Sequence, residues 1–169
     1  LQPILCHEKI LPYHQFGFPK EHFTLEQVNR VYQIARNAIE DKKYCTAAFL
    51  DVSQAFDKVW HSGLLCKLKS LLPTDLSTLL FSYLSNRYFM VNVGTEISEI
   101  FPILSGVPQG SVLGPVLYTI FTADLPLSES TYTATFADDT VVMAVHNDAN
   151  TASNLLQLNL DSIRDWIQL

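Results

Sequence analysis

Apolar residues recur every three or four positions along much of the chain, which is the spacing of one face of an α-helix. At the start of the first such stretch, Thr24 and Gln27 form a capping-box pattern. A second stretch places Phe56, Val59, Trp60, Leu64, Leu65 and Leu68 on one inward face. The spacing predicts helices over about 24–39, from just after Asp51 to about 68, and over about 75–84, 112–123 and 148–166.

Other stretches have the shorter apolar runs that are typical of β-strands. Residues 45–52 predict a buried strand that ends at Asp51. Residues 88–93 and 97–103 predict a strand pair that turns at Gly94, and residues 132–145 predict a hairpin. The resulting order of helices and strands predicts an α+β fold, with an antiparallel sheet backed by helices.

Composition indicates the size of the domain, its net charge and the redox state of its compartment. The chain has 169 residues, of which 48% are hydrophobic and 17% are charged, so one globular domain is expected. The net charge of −6 argues mildly against a nucleic-acid-binding surface, which is usually basic. The three cysteines lack C-x-x-C spacing, so a disulfide framework or zinc site is not expected and a reducing compartment is. We also expect no secretory leader and no membrane span.

The most informative pair of residues is Asp138 and Asp139, which lies between apolar stretches in Thr133–Val145. Adjacent carboxylates repel each other, and burial raises the cost of keeping both charged. A divalent cation such as Mg²⁺ or Mn²⁺ relieves this repulsion, because both ions prefer oxygen ligands. The hairpin therefore predicts metal-dependent chemistry at its tip.

Asp51 is the third carboxylate, at the end of the predicted buried strand. Taken alone, it is better interpreted as a helix N-cap. Taken with Asp138 and Asp139, it can complete a site for two cations about 3.5–4 Å apart, as in polymerases and nucleases.

The loop Gly106–Ser111 is a second candidate site. Its glycines allow close backbone approach to a ligand, and its amides with the following helix N-terminus favour an anion. The alternative is an ordinary strand-to-helix connection.

Several segments match one family in its own order of motifs. Residues 48–61 (AFLDVSQAFDKVWH) resemble the first catalytic motif of reverse transcriptases, most closely those of non-long-terminal-repeat retrotransposons of the jockey type. Residues 106–115 (GVPQGSVLGP) resemble its template- and nucleotide-contacting motif, and residues 136–140 (FADDT) its metal-binding hairpin. Residues 14–18 (HQFGF) resemble a further block, although Pro19 replaces the arginine that usually follows.

The resemblance implies a role for each matching carboxylate. Asp51, Asp138 and Asp139 would be catalytic, and with the carbonyl of Val52 they would hold two Mg²⁺ or Mn²⁺ ions. Asp57 would be structural.

It also implies roles outside the carboxylates. Phe56 would stack under the sugar and exclude a 2′-hydroxyl, although it also fits a core position. Gln109 would contact the incoming nucleotide or the template, and Gly110 would give the chain room to pass. His61 is better interpreted as a packing or capping residue than as a base.

The implied protein is an RNA-directed DNA polymerase that takes an RNA template, a DNA primer and deoxynucleoside triphosphates. Its palm would comprise about 45–57 and 106–169, with partial fingers at about 1–44 and 58–105. Basic fingers, the thumb and an endonuclease would lie outside the chain, so we expect little activity from the chain alone. The parent element is expected inside the cell, in the nucleus.

Three alternatives stay open. The chain could be a silent retroelement remnant or an interaction module. A two-metal phosphohydrolase shares the carboxylate chemistry but does not need Phe56 as a sugar gate. A viral RNA-dependent RNA polymerase usually has glycine before the paired aspartates, where this chain has Ala137.

Overall fold

Helices and strands account for most of residues 24–168, the part of the chain that the computed structural model describes. Residues 14–18 and the fingers prediction for residues 1–23 lie outside it. The helices are α1 Thr24–Glu40, α2 His61–Leu71, α3 Thr74–Leu84, α4 Leu113–Phe121 and α5 Ala149–Ile167. The strands are β1 Tyr44–Leu50, β2 Tyr88–Phe89, β3 Asn92–Val93, β4 Glu96–Ile97, β5 Phe101–Pro102, β6 Tyr132–Phe136 and β7 Asp139–His146.

Two compact units divide the described chain. The first unit contains the residues up to Ser53 and those from Ala123 onward, and the second contains Gln54 to Thr122. The predicted α+β class is confirmed, because antiparallel strands and helices occur together in this chain. None of the described helices is long and apolar enough to cross a membrane.

The first unit is built on an antiparallel sheet in the order β1-β7-β6. The central strand β7 is buried on both faces, since Val142 and Ala144 are fully buried and Val141 and Met143 nearly so. On one face, α1 packs against Val141 and Met143 through Val31, Ile34 and Ala35. On the other face, the Thr46 hydroxyl donates a hydrogen bond to the Ala152 carbonyl of α5, at 3.2 Å. Successive side chains of β7 thus point alternately toward α1 and toward α5.

The second unit is mainly helical. Its buried apolar side chains come from each of its three helices and include Leu64 and Leu68 of α2, Leu80 and Leu84 of α3, and Leu117 and Ile120 of α4. Since α2 packs against both α3 and α4, these leucines and Ile120 give the unit its own core.

The predicted start of the helix, directly after Asp51, is wrong. Residues 53–58 form turns, and α2 begins only at His61. Gln54 has a φ of +59°, a left-handed conformation that a right-handed helix cannot contain. Phe56 and Val59 therefore precede the helix, and Trp60, predicted inward, is 57% exposed.

The predicted strand pair around Gly94 is present as two short ladders. One pairs Phe89 with Phe101, and the other pairs Asn92 with Ile97, so the register shifts by one residue between them. A one-residue shift is the signature of a β-bulge. These strands are exposed, so no core burial holds a single register over the whole length.

Candidate active site

The three candidate carboxylates lie at the same end of the sheet in the first unit. Asp51 directly follows β1, Asp139 opens β7, and Asp138 precedes it in the turn. The last pair of the β1–β7 ladder joins Leu50 to Thr140, so the next position of that register puts Asp51 beside Asp139. Strand alternation puts Asp139 on the same face as Val141, the face that α1 covers.

A two-residue turn holds the paired aspartates. Phe136 pairs with Asp139, which leaves Ala137 and Asp138 as the turn between β6 and β7. Ala137 has a φ of +58°, and a positive φ at the first turn position is characteristic of type II′ hairpins. A residue with a Cβ is strained there, and such strain occurs preferentially at functional sites. The turn thus holds Asp138 next to Asp139, at the end of the sheet where β1 also ends.

The burial invoked for the paired aspartates is wrong for Asp139. Asp51 and Asp139 are exposed, and Asp138 is half-buried. Repulsion in a low-dielectric interior therefore does not by itself require a cation here. Within the described residues, the three side chains make no hydrogen bond or ion pair. Their oxygens are consequently available to an external ligand.

The available donor set fits a hard divalent cation in its chemistry, because carboxylate oxygens are the ligands that Mg²⁺ and Mn²⁺ prefer. In residues 24–168, no three His, Cys, Asp or Glu side chains are already gathered closely enough to hold an ion. Val52, whose carbonyl is the fourth predicted ligand, directly follows Asp51 and is 44% exposed.

An open groove of about 460 Å³ adjoins this end of the sheet, within the first unit. Asp51 and Asp139 line it together with α1 and apolar sheet residues. Those other lining residues are Thr24, Gln27, Val28, Val31, Phe49, Leu50, Ala134, Phe136, Thr140 and Val141. Two acidic groups therefore border a mostly apolar surface.

The N-cap interpretation of Asp51 is wrong. Residues 51 and 52 are irregular, turns follow, and the next helix has Trp60 as its N-cap. Asp51 thus caps no helix, and a local structural role no longer accounts for it.

The loop Gly106–Ser111 belongs to the second unit, where backbone hydrogen bonds fix its first half. The Gly106 amide donates to the Val59 carbonyl and the Val107 amide to the Phe56 carbonyl, both at 2.8 Å. Gly106 has a φ of +88°, and a Cβ there would lie 2.7 Å from the Asp57 carbonyl oxygen. The close approach that glycine permits is therefore to the protein's own backbone at Gly106.

The tip of the loop has the opposite character. Gly110 has a φ of +76°, and a Cβ added there would meet nothing within 4 Å. Gln109 is exposed, and its Nε2 donates to the Asp57 carboxylate at 2.9 Å. The tip is therefore open toward solvent, with one polar side chain held in place.

Phe56 lies in the turn before α2, half-buried. Its ring stacks on Tyr118 of α4, with centroids 4.9 Å apart and planes inclined by 29°. Tyr118 was not anticipated, because no local pattern links it to Phe56.

His61 Nε2 donates to the Gly106 carbonyl at 2.7 Å, a structural contact that agrees with the interpretation of His61 as a packing residue. Phe56 and Gln109 thus share the second unit, and the carboxylates share the first.

Carboxylates at the end of a sheet, beside a groove, are an arrangement found in metal-dependent enzymes that transfer phosphoryl or nucleotidyl groups. Comparison with known proteins narrows this class: residues 1–168 match the family described as reverse transcriptase (RNA-dependent DNA polymerase). The chain belongs to this family, whose members generally use divalent metal ions.

Three similar relatives come from Drosophila melanogaster. The probable RNA-directed DNA polymerase from transposon BS is 44% identical over 98% of this chain and 19% of its own length. The RNA-directed DNA polymerase from mobile element jockey is 45% identical over 95% of this chain and 18% of its own. The probable enzyme from transposon X-element is 46% identical over 79% of this chain and 15% of its own. The chain thus spans less than a fifth of each of these relatives.

Proposed function

We propose that this chain supplies the catalytic carboxylates of an RNA-directed DNA polymerase of a non-long-terminal-repeat mobile element. The observation that carries the proposal is the placement of Asp51, Asp138 and Asp139 at one end of the sheet, without a hydrogen-bond or ion-pair partner among residues 24–168, in a chain of this family. The reaction is attack of a primer 3′-hydroxyl on the α-phosphate of a deoxynucleotide paired to an RNA template. Pyrophosphate leaves.

Asp51, Asp138 and Asp139, with the Val52 carbonyl, would hold two Mg²⁺ or Mn²⁺ ions. When bound, such ions neutralise developing phosphate charge and lower the pKa of the attacking hydroxyl. The protein's contribution is position: the β1–β7 register and the two-residue turn set where the carboxylate oxygens stand. Fixed placement of charge is what accelerates phosphoryl transfer.

Phe56 would select the sugar. Its ring is held from behind by Tyr118, which is 4% exposed, so the ring cannot retreat without disturbing the core of the second unit. A rigid ring beside C2′ leaves room for hydrogen but not for a hydroxyl. Gln109 would contact the nucleotide or template, and the open space at Gly110 would let that strand pass.

The two compact units do not share the boundaries of the proposed palm. Palm at about 45–57 and 106–169, and partial fingers at about 1–44 and 58–105, remain our proposal. The proposed site of action is the nucleus, which rests only on the resemblance to enzymes of mobile elements.

Primer extension tests the proposal. The protein tested is a polymerase of the relatives' full length in which the 169 residues replace the matching segment. It is incubated with a poly-rA template, an oligo-dT primer, dTTP and Mg²⁺. We expect template-dependent extension with release of one pyrophosphate per nucleotide. Degradation of the primer without extension would favour a phosphohydrolase, and no reaction at all would favour a silent remnant. The isolated 169-residue chain is expected to extend poorly.

A further inference from the structure

Asp57 connects the turn before α2 with the tip of the Gly106–Ser111 loop. We propose that Asp57 is a positioning residue that sets which way the Gln109 side-chain amide points toward the nucleotide or template. The inference rests on the proposed function for its ligand, but the contact itself is a property of the second unit alone.

The backbone of Asp57 is the support for the start of the loop. Its carbonyl oxygen accepts a hydrogen bond from the Ser105 hydroxyl at 3.0 Å. The backbone of Gly106 lies so close that a Cβ there would be 2.7 Å from the same oxygen. Any displacement of Asp57 is therefore transmitted to residues 105–106.

The far side of the loop is fixed by its own contacts. The Ser111 hydroxyl donates to the Pro108 carbonyl at 2.8 Å and accepts from the Gly114 amide at 2.9 Å. Gly114 also approaches Pro108 closely, since a Cβ there would be 2.6 Å from the Pro108 carbonyl oxygen. Residues 109–110 are thus a short tip between two fixed points, and the long side chain at this tip is the one that Asp57 holds.

The chemistry of the pair gives the contact a direction. An ionised carboxylate only accepts hydrogen bonds, whereas a glutamine amide has a donor end and an acceptor end. Asp57 Oδ1 therefore selects the NH₂ end of Gln109, as the 2.9 Å contact shows. The Oε1 atom is left for a donor on the ligand, such as a sugar hydroxyl or a base amino group. Without Asp57, the amide can rotate and present either end.

The kinetic test uses the full-length polymerase and four variants. Asp57→Leu removes the acceptor, Asp57→Asn keeps an oxygen that can accept, Gln109→Ala removes the amide, and the fourth variant combines Asp57→Leu with Gln109→Ala. Asp75→Leu, at an exposed aspartate near the start of α3, is the matched control. Steady-state extension gives kcat and KM for the deoxynucleotide separately.

We expect Asp57→Leu to raise KM about threefold to tenfold, equivalent to about 0.7–1.4 kcal/mol, with kcat changed less than about twofold. Asp57→Asn should recover only part of the loss, because an asparagine amide can also donate and therefore does not select one end of Gln109. The double variant should match Gln109→Ala, because Asp57 acts through that amide. The inference would be overturned if the double variant raised KM by the product of the two single effects, or if Asp57→Leu left KM unchanged.

A second readout does not depend on polymerase activity. The Gln109 side-chain NH₂ signal in a ¹⁵N spectrum of the 169-residue chain is identified by its loss in Gln109→Ala. Asp57→Leu should shift this signal toward the position of a solvated glutamine, and Asp75→Leu should leave it in place. An unshifted signal in Asp57→Leu refutes the positioning contact even if the enzyme is active. A shifted signal in the 169-residue chain, together with no extension by the full-length polymerase, would instead sink the proposed function.

Discussion

Replacing Gly106 by alanine tests how closely the loop packs on the backbone of Asp57. Gly106 and Gly94 both have a positive φ, at +88° and +65°. A Cβ at Gly94 meets nothing within 4 Å, whereas one at Gly106 falls 2.7, 2.9 and 3.0 Å from three backbone atoms of Asp57. Gly94→Ala is therefore a control that carries the cost of a positive φ without overlap.

The magnitudes follow from these distances. Alanine in a left-handed conformation costs about 1 kcal/mol relative to glycine. Overlap with backbone atoms adds about 1–3 kcal/mol, because the Ser105 hydroxyl and the Val107 amide donate to the carbonyls of Asp57 and Phe56 and oppose movement of that turn. Gly106→Ala should thus lower the free energy of unfolding by about 2–4 kcal/mol, and Gly94→Ala by about 1 kcal/mol.

The assay is urea and thermal unfolding of the 169-residue chain, followed by circular dichroism. For a chain of this size, 1 kcal/mol corresponds to roughly 2–4 °C in Tm, so we expect a decrease of roughly 4–16 °C for Gly106→Ala. The decrease for Gly94→Ala should be about 2–4 °C. If the two variants lose the same stability within about 0.5 kcal/mol, the loop does not pack on Asp57 as described.

Three further predictions concern the core, a helix cap and the sugar gate. Leu117→Ala, at a fully buried position, should cost about 2–5 kcal/mol in urea unfolding, and a loss below 1 kcal/mol would contradict its burial. Asp148 accepts hydrogen bonds from the amide and hydroxyl of Thr151, and these bonds lower the pKa of its carboxyl from the usual 3.8. The contribution of the ionised carboxylate to folding stability is therefore complete above pH 3.8 and is lost as pH falls through the lower pKa of the folded state. Asp148→Ala should accordingly lower the urea midpoint more at pH 7 than at strongly acidic pH, and Asp148→Asn should lose less than Asp148→Ala at pH 7; a pH-independent loss would contradict the contribution of the charge. Phe56→Val should raise ribonucleotide incorporation relative to deoxynucleotide by about tenfold or more in primer extension, and unchanged discrimination would exclude Phe56 as the gate.

Periodic burial made much of the fold predictable. α1, α3, α5 and the β6–β7 hairpin follow strong apolar spacing, and each begins or ends within a few residues of its predicted bound. The start of α2 was missed because one left-handed residue, Gln54, breaks the helix, and apolar spacing carries no signal for its φ. The ladder shift near Gly94 was missed because exposed strands leave no core pattern that fixes register.

The candidate site was predictable as far as residue types and motif order reach. Asp51, Asp138 and Asp139 were selected from sequence, and the register brings two of them side by side. The contacts of Asp57 with Gln109 and of Phe56 with Tyr118 join elements that are distant along the chain. Such pairs depend on tertiary packing, so neither spacing nor helical periodicity indicates them.

The most direct test of the central claim is primer extension with Asp138→Asn in the full-length polymerase, with RNA template, DNA primer and Mg²⁺. Asparagine keeps the size of the side chain but removes the charge that the proposed ions require. Asp161→Asn, in α5 of the same unit, is the matched control. We expect Asp138→Asn to lose extension with unchanged unfolding behaviour, and Asp161→Asn to extend at a near-normal rate. Extension by Asp138→Asn at the unsubstituted rate would refute the assignment of Asp138 as a catalytic carboxylate.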